Sequence, residues 1–258
     1  MGVDAMRRRR DSEKRAPVDI GLELRFSAQP GPVFAPGDTY YVPAEVVSGM
    51  RHMLTRMVTT GHWPPVVALT AAQREEGVSY TALALSAVLS RDTTRLVCLV
   101  DANWYWPSVP VVDSPGLAAV LDGGSALDDA LVRVPESAAM PGALMMLPAG
   151  RMPQERRVVA ARSPEMKATI EELRGRFDHI VLDLPAVLAT SDAIALASLA
   201  DACCLVAHQG VTPAATVQEA LAAIRHLPVA GVIMNRVRVH MPATLAGQLT
   251  APLADGAG

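Results

Sequence analysis

Aromatic residues are scarce in this chain, making up 4% of its 258 residues, while half of all residues are hydrophobic. A core of that size must therefore be aliphatic, built from Val, Leu, Ile, Ala and Met. Such a composition suits parallel strands buried on both faces and covered by helices. Cysteine is almost missing too: Cys98, Cys203 and Cys204 stand in apolar, strand-like runs (LVCLV, ACCLV). No CxxC or Cys/His spacing is present, which excludes a zinc-type ligand set. Adjacent Cys203 and Cys204 would point to opposite faces of a strand and make poor disulfide partners. They read as small buried hydrophobes in a reducing compartment. No apolar run reaches the roughly 18–20 residues of a membrane span, and MGVDAMRRRRDSEKR lacks the apolar stretch of a secretory leader. The expectation is a cytoplasmic protein. The net charge of −3 supplies no drive toward a polyanion, so nucleic acid is not an expected partner.

What is present is regular alternation. Residues 1–42 are charged and then rich in Pro, Gly and Ala, and read as a disordered basic arm. From 43 to 240 the pattern is that of one domain, and 241–258 read as a flexible tail. Residues 45–60 carry Val46, Val47, Met50, Met53, Leu54 and Met57 at helical spacing. Strands are predicted at 66–70, 96–101, 144–147, 179–184, 202–207 and 229–234. Helices are predicted at 80–90, in two short pieces between 116 and 134, and at 164–176, 191–200 and 213–226. Ser163 with Pro164 forms a helix start. Strands and helices in this order predict an α/β fold with a doubly wound, mainly parallel sheet flanked by helices.

Ligands of such sheets bind beyond the carboxyl ends of the strands, and three strand ends here carry suitable chemistry. The first is the loop within VVALTAAQREEGVSYTALALSAVLS, a strand–loop–helix frame of the kind that cradles phosphate. Asp101 closes the second strand, in DANWYWP. Asp183 closes the third, in LDLP. A single strand-end Asp is often no more than a turn former, but three such ends on successive units form a pattern.

These motifs resemble those of the cytoplasmic tyrosine kinases of bacterial capsule and exopolysaccharide assembly (BY-kinases, CpsD/CapB-like). That family is a branch of the deviant-Walker, MinD/ParA-type P-loop ATPases. TAAQREEGVSYTA resembles the pattern TSAxPGEGKSTTA, DANWYWP resembles DADxRRP, and FDHIVLDLPAVLATSDA resembles YDYVIIDTPPVLAVSDA. GLAAVLDGGSALDDAL, LPAGRMPQE and GVIMNRVR also match in style, so the likeness covers about residues 43–238. It implies a P-loop NTPase fold and ATP or ADP with Mg²⁺ as ligands. Gly77, Val78, Ser79, Tyr80, Asn235 and Arg236 are the implied nucleotide-contacting positions, with Asn235 and Arg236 beside the adenine. Ser79, Asp101 and Asp183 are the implied metal site, and Asp101 and Asp183 the residues of any catalysis.

The departures from the pattern are chemical. The lysine that reaches the β- and γ-phosphates is Val78. Pro-Gly is Arg74-Glu75, so that Glu75 and Glu76 are expected to crowd a loop meant for a polyanion. Arg74 is a candidate substitute cation. Asn103 stands for an acid, and Tyr105 and Trp106 for arginines. Trp104, Tyr105 and Trp106 read either as a binding loop or as aromatics packed on the domain's own surface. The E-x₂-R-x₂-R element that drives ring assembly in the family is reduced to Glu45, Ser48 and Arg51. The family's tyrosine-rich tail has no counterpart, the tyrosines here being 40, 41, 80 and 105.

The resemblance with these losses implies a degenerate member, a pseudokinase or regulatory partner in polysaccharide chain-length control and export. Its expected partners are a membrane-bound, Wzz-like chain-length determinant or a catalytic paralogue, reached at the inner face of the membrane, or further copies of itself. Two other readings stay open: a residual ATP-binding kinase or ATPase, and a positioning-type ATPase relative.

Overall fold

The computed structural model describes residues 23–27, 39–60, 63–93, 95–107, 114–134 and 143–237. The expected C-terminal tail, 241–258, and most of the expected N-terminal arm lie outside them. Within that arm the reading of disorder is corrected at two places. Strands β1 (Glu23–Ser27) and β2 (Thr39–Pro43) pair in parallel as a two-stranded ribbon. The segments ELRFS and TYYVP carry the bulky and β-branched residues that favour extended chain. The stretch between them is rich in Pro and Gly, which masks the two short strands in the composition.

Helix α1 (Ala44–Thr60) leads into the main domain, and β3 (Val66–Ala71), α2 (Val78–Asp92) and β4 (Leu96–Asp101) follow. Two short helices, α3 (Gly116–Leu121) and α4 (Leu127–Ala130), precede β5 (Val132–Arg133) and β6 (Ala143–Leu147). Then come α5 (Gln154–Ala161), α6 (Pro164–Arg174), β7 (His179–Asp183), α7 (Asp192–Ala197), β8 (Ala202–His208), α8 (Ala214–Ala223) and β9 (Val229–Asn235). The seven-stranded sheet has the order β5-β6-β4-β7-β3-β8-β9. Every pairing in it is parallel except β5 on β6.

Strand β3 shows why the sheet is buried on both sides. Val66 and Ala68 point into one apolar cluster, and Val67 and Leu69 into the other, as the two-residue period of a strand dictates. Cys203 and Cys204 divide between the two clusters in the same way, and all three cysteines are free and buried. Helices α3, α5, α6 and α7 contribute to the first cluster, and α1 and α2 to the second. Helix α2 is buried from Thr81 to Ser90, held between the sheet and α1. Each aliphatic side chain so enclosed stabilises the fold by about 1.5–3 kcal/mol relative to exposure.

Helix α6 starts as its sequence predicts. The Ser163 hydroxyl accepts from the Met166 N–H at 3.0 Å, and Pro164 takes the first turn. Helix α5, in contrast, is not among the helices the sequence predicts. Its residues QERRVVAA place Val158 and Val159 in solvent, the latter 70% exposed, so no apolar stripe announces it. The Asp101 and Asp183 ends of β4 and β7 and the β3–α2 loop meet at one edge of the sheet, flanked by β9.

Candidate functional site

The loop between β3 and α2 is shaped by two left-handed residues, Glu75 (φ 68°) and Gly77 (φ 88°). Glycine is required at 77 for a second reason. A Cβ there would sit 2.1 Å from Asn235 Nδ2. Asn235, at the end of β9, donates from Nδ2 to the Glu76 carbonyl at 2.8 Å, and its Oδ1 accepts from the Arg236 N–H at 2.8 Å. The end of β9 is thus laid directly onto the loop.

Glu76 departs from expectation. Its side chain is buried, and Oε2 accepts from the N–H groups of Ala72 (3.0 Å) and Gln73 (3.3 Å). Its Oε1 accepts from the Thr212 hydroxyl, whose oxygen in turn accepts from the His208 N–H. The carboxylate therefore closes the base of the loop and ties it to the β8–α8 turn. Both glutamates line the cleft, but they are disposed differently. Glu75 is exposed, while Glu76 is folded inward because buried N–H donors compensate its charge.

Val78 opens α2 and packs against the α1/α2 apolar cluster. A branched aliphatic group thus occupies the position from which a lysine ammonium would emerge. Ser79 follows it and lies beside Asp183. Asp101 and Asp183 are cross-strand partners in the β4–β7 register. Both are buried, and each keeps one oxygen, Asp101 Oδ2 and Asp183 Oδ1, without a hydrogen-bond partner. The Asn103 N–H donates to the other Asp101 oxygen at 2.9 Å. Burial, and then the neighbouring Asp183 charge, raise the Asp101 carboxyl well above its ordinary range. Burial pushes Asp183 up to about 7, with the Ser79 hydroxyl acting in the opposite direction. Unpartnered buried carboxylate oxygens beside a hydroxyl are hard donors of the kind Mg²⁺ takes together with water and phosphate oxygens. Among the described residues no group of three or more His, Cys, Asp and Glu side chains gathers as a metal site. The donor set is therefore a partial one.

Above these carboxylates opens a cleft of about 700 Å³. All six predicted nucleotide-contacting positions line it: Gly77, Val78, Ser79, Tyr80, Asn235 and Arg236. Asp101 and Asp183 are not among its lining residues, although Asn103 and Leu184, which stand close to them in the chain, are. The Tyr80 phenol is half-buried, and burial followed by the Glu45 charge raises its pKa to about 12. Arg236 sits at φ 55° at the rim.

The aromatic loop divides. Trp104 is buried and donates from Nε1 to the Ala149 carbonyl at 3.0 Å, so its reading as an exposed binding residue is corrected. Its partner lies 45 positions away in sequence. The Tyr105 hydroxyl donates to Asp192, and the Arg157 guanidinium stacks over the ring at 4.8 Å. Asp192 is fully buried and also accepts from Arg162 at 3.3 Å. Only Trp106 reaches the cleft, where Arg74 covers its ring at 3.9 Å. Thr212, His208 and Trp106 line or support the site without having been singled out as ligands. Trp106 stood in a recognised motif, whereas nothing local marked Thr212.

Of the reduced ring-assembly element, Arg51 makes a two-pronged ion pair with Asp92 at the end of α2, at 2.5 and 2.6 Å.

Over 176 residues the chain is 31% identical to the tyrosine-protein kinase YwqD of Bacillus subtilis, covering 66% of this chain and 71% of that one. The chain belongs to the bacterial tyrosine-kinase family of deviant-Walker P-loop proteins. It is also 32% identical over 179 residues to the succinoglycan biosynthesis transport protein ExoP of Rhizobium meliloti, covering 66% of this chain. It spans only 22% of ExoP's length. No protein-family model matches the chain. Among solved structures, the chimerical protein CapA2B2 superposes with a TM-score of 0.67 at 17% identity, over 76% of this chain and 85% of that one. The septum site-determining protein MinD of Pyrococcus horikoshii, complexed with Mg-ADP, does so with a TM-score of 0.53 at 20% identity, over 71% and 76%. At such identities the structures speak for the fold, a P-loop NTPase sheet. The family's tyrosine-kinase members thus relate this chain to polysaccharide-assembly kinases, with the lysine of the loop replaced by valine. Among the described residues no helix is long and apolar enough to cross a membrane.

Proposed function

We propose that the chain is a catalytically impaired kinase relative, acting as a regulatory partner in capsular or exopolysaccharide chain-length control and export. It works in the cytoplasm, at the inner face of the membrane, by contact with a membrane-bound chain-length protein or a catalytic paralogue. The observation that carries this reading is Val78. It packs against apolar side chains and cannot donate to or neutralise a transferring phosphoryl group. Electrostatic stabilisation of that group is most of what a P-loop supplies. Tyr105 is committed to Asp192 and Tyr80 is half-buried, so neither stands as a free acceptor hydroxyl.

The unpartnered oxygens of Asp101 and Asp183, with Ser79, favour a second element of the reading. The cleft keeps Mg-nucleotide as a bound ligand without turning it over. Ser79, Asp101 and Asp183 are the residues that would hold Mg²⁺, which would supply positive charge to offset that of the phosphates. The test is ATP turnover and tyrosine phosphorylation by the purified chain, alone and with a catalytic relative. Turnover at background level is expected. Hydrolysis that disappears in Asp183→Ala overturns the pseudokinase reading.

A further inference from the structure

We propose that Arg74 is the phosphate-binding cation of this cleft, held in place by stacking on Trp106 and supplying the positive charge that Val78 lacks. The inference rests on the reading of the cleft as a nucleotide site. It names the residue that grips the β-phosphate.

The argument begins with charge. Five of the residues lining the cleft carry acidic or basic side chains: Arg74, Glu75, Glu76, His208 and Arg236. Glu76 is spent on the loop's own N–H groups and on Thr212. Arg74 has no ion pair among the described residues. A long cationic side chain without an acid partner is ordinarily left to solvent with many rotamers. Here its guanidinium carbon lies 3.9 Å from the Trp106 ring centroid. A guanidinium stacked on an aromatic face keeps its edge donors free for a planar, two-pronged contact with phosphate.

The support beneath this pair is also built. The Trp106 N–H donates to the Asn103 side-chain oxygen at 3.3 Å, and the Asn103 N–H donates to Asp101 at 2.9 Å. Asp101 is one of the two buried carboxylates with an unpartnered oxygen. The cation, its aromatic support and the metal-facing acid therefore belong to one connected stretch of contacts. Two substitutions relative to the family pattern explain each other in this way. Position 106 has exchanged a cation for a ring, and position 74 on the opposing loop has exchanged a proline for the cation that covers that ring.

Calorimetric titration of the full chain with Mg-ADP and with AMP tests this. Arg74→Ala is expected to weaken Mg-ADP about tenfold, the loss of a charge-assisted contact, while leaving AMP unchanged. Arg74→Lys should recover part of the loss. Trp106→Phe should bind nearly as the parent does, and Trp106→Ala should fall with Arg74→Ala. Equal Mg-ADP affinity in Arg74→Ala and parent overturns the assignment and leaves the nucleotide site standing. Equal weakening of AMP and Mg-ADP overturns it as well, because the residue would then act on the shape of the loop. A parent that binds no Mg-ADP at millimolar concentration removes the nucleotide site and this assignment together.

Discussion

Asp101 and Asp183 face each other across adjacent parallel strands, both buried, each with one oxygen that has no hydrogen-bond partner among the described residues. In an enclosed environment two such groups resist simultaneous ionisation. The pair is therefore a destabilising feature of the ligand-free fold, kept at the place where ligands of this sheet type bind.

The first prediction is a pH dependence. Burial raises the folded-state Asp183 pKa to about 7, above the ordinary carboxylate value near 4. A raised folded pKa means that the folded form binds the proton more tightly than the unfolded chain. The stabilisation is complete below about pH 4 and is lost as pH rises through 7. The ligand-free chain should therefore lose part of its stability between pH 5 and pH 8. Asp183→Asn should flatten that part of the profile and raise the Tm at pH 8. Thermal unfolding across this range checks it, and a variant with an unchanged slope contradicts it.

A second expectation concerns the loop. Gly77→Ala meets both an unfavourable φ and Asn235 Nδ2, and should cost about 1–3 kcal/mol from strain together with the displaced hydrogen bond. Glu75 holds φ 68° without being glycine. Glu75→Gly should stabilise by up to about 1 kcal/mol, the left-handed strain removed less the added chain entropy. Chemical denaturation measures both changes, which should have opposite signs.

Arg51 and Asp92 join α1 to α2 on a largely exposed surface, where even a well-formed pair contributes only about 0.2–1 kcal/mol. A double-mutant cycle with Arg51→Ala and Asp92→Ala should return a coupling in that range. Because the arginine is engaged within the chain, Arg51→Ala should leave the sedimentation coefficient unchanged. A shift to a smaller species would show that Arg51 also serves an interface.

Tyr105→Phe removes a donor from the fully buried Asp192 carboxylate. Arg162 and Ser191 still reach that group, so the expected loss is about 1–3 kcal/mol by urea unfolding. An effect near zero would mean that the remaining partners satisfy Asp192 by themselves.

Restoring the lysine tests how much of the site is intact. Val78→Lys combined with Glu75→Gly should bring measurable ATP hydrolysis if the frame around Ser79, Asp101 and Asp183 is competent. The lysine must leave the apolar cluster that Val78 occupies, so the single substitution should also lower the Tm.

Much of the fold could be read from the amino-acid order because it depends on local periodicity and burial. Runs such as VVALTA and ACCLVA, short and largely apolar, favour strands covered on both faces, and Ser163-Pro164 favours a helix start. Helix α5 escaped because its two large apolar residues, Val158 and Val159, face outward and only Ala160 and Ala161 are buried, leaving no stripe at helical spacing. The ribbon at 23–27 and 39–43 escaped because its strands are short and separated by a stretch that reads as linker.

At the site, the chain order alone established the strand–loop–helix frame, the missing lysine and the two strand-end acids, since these are matters of residue type and position. Tertiary structure decided what each neighbour does. It turned Glu76 inward to the Ala72 and Gln73 N–H groups, buried Trp104 against Ala149, and drew Arg74 onto Trp106. Each of those outcomes depends on burial and on contacts that sequence position does not specify. Two of the partners lie more than thirty residues away in the chain. A charge's role is set by the nearest group that can compensate it, and only the folded chain determines which group that is.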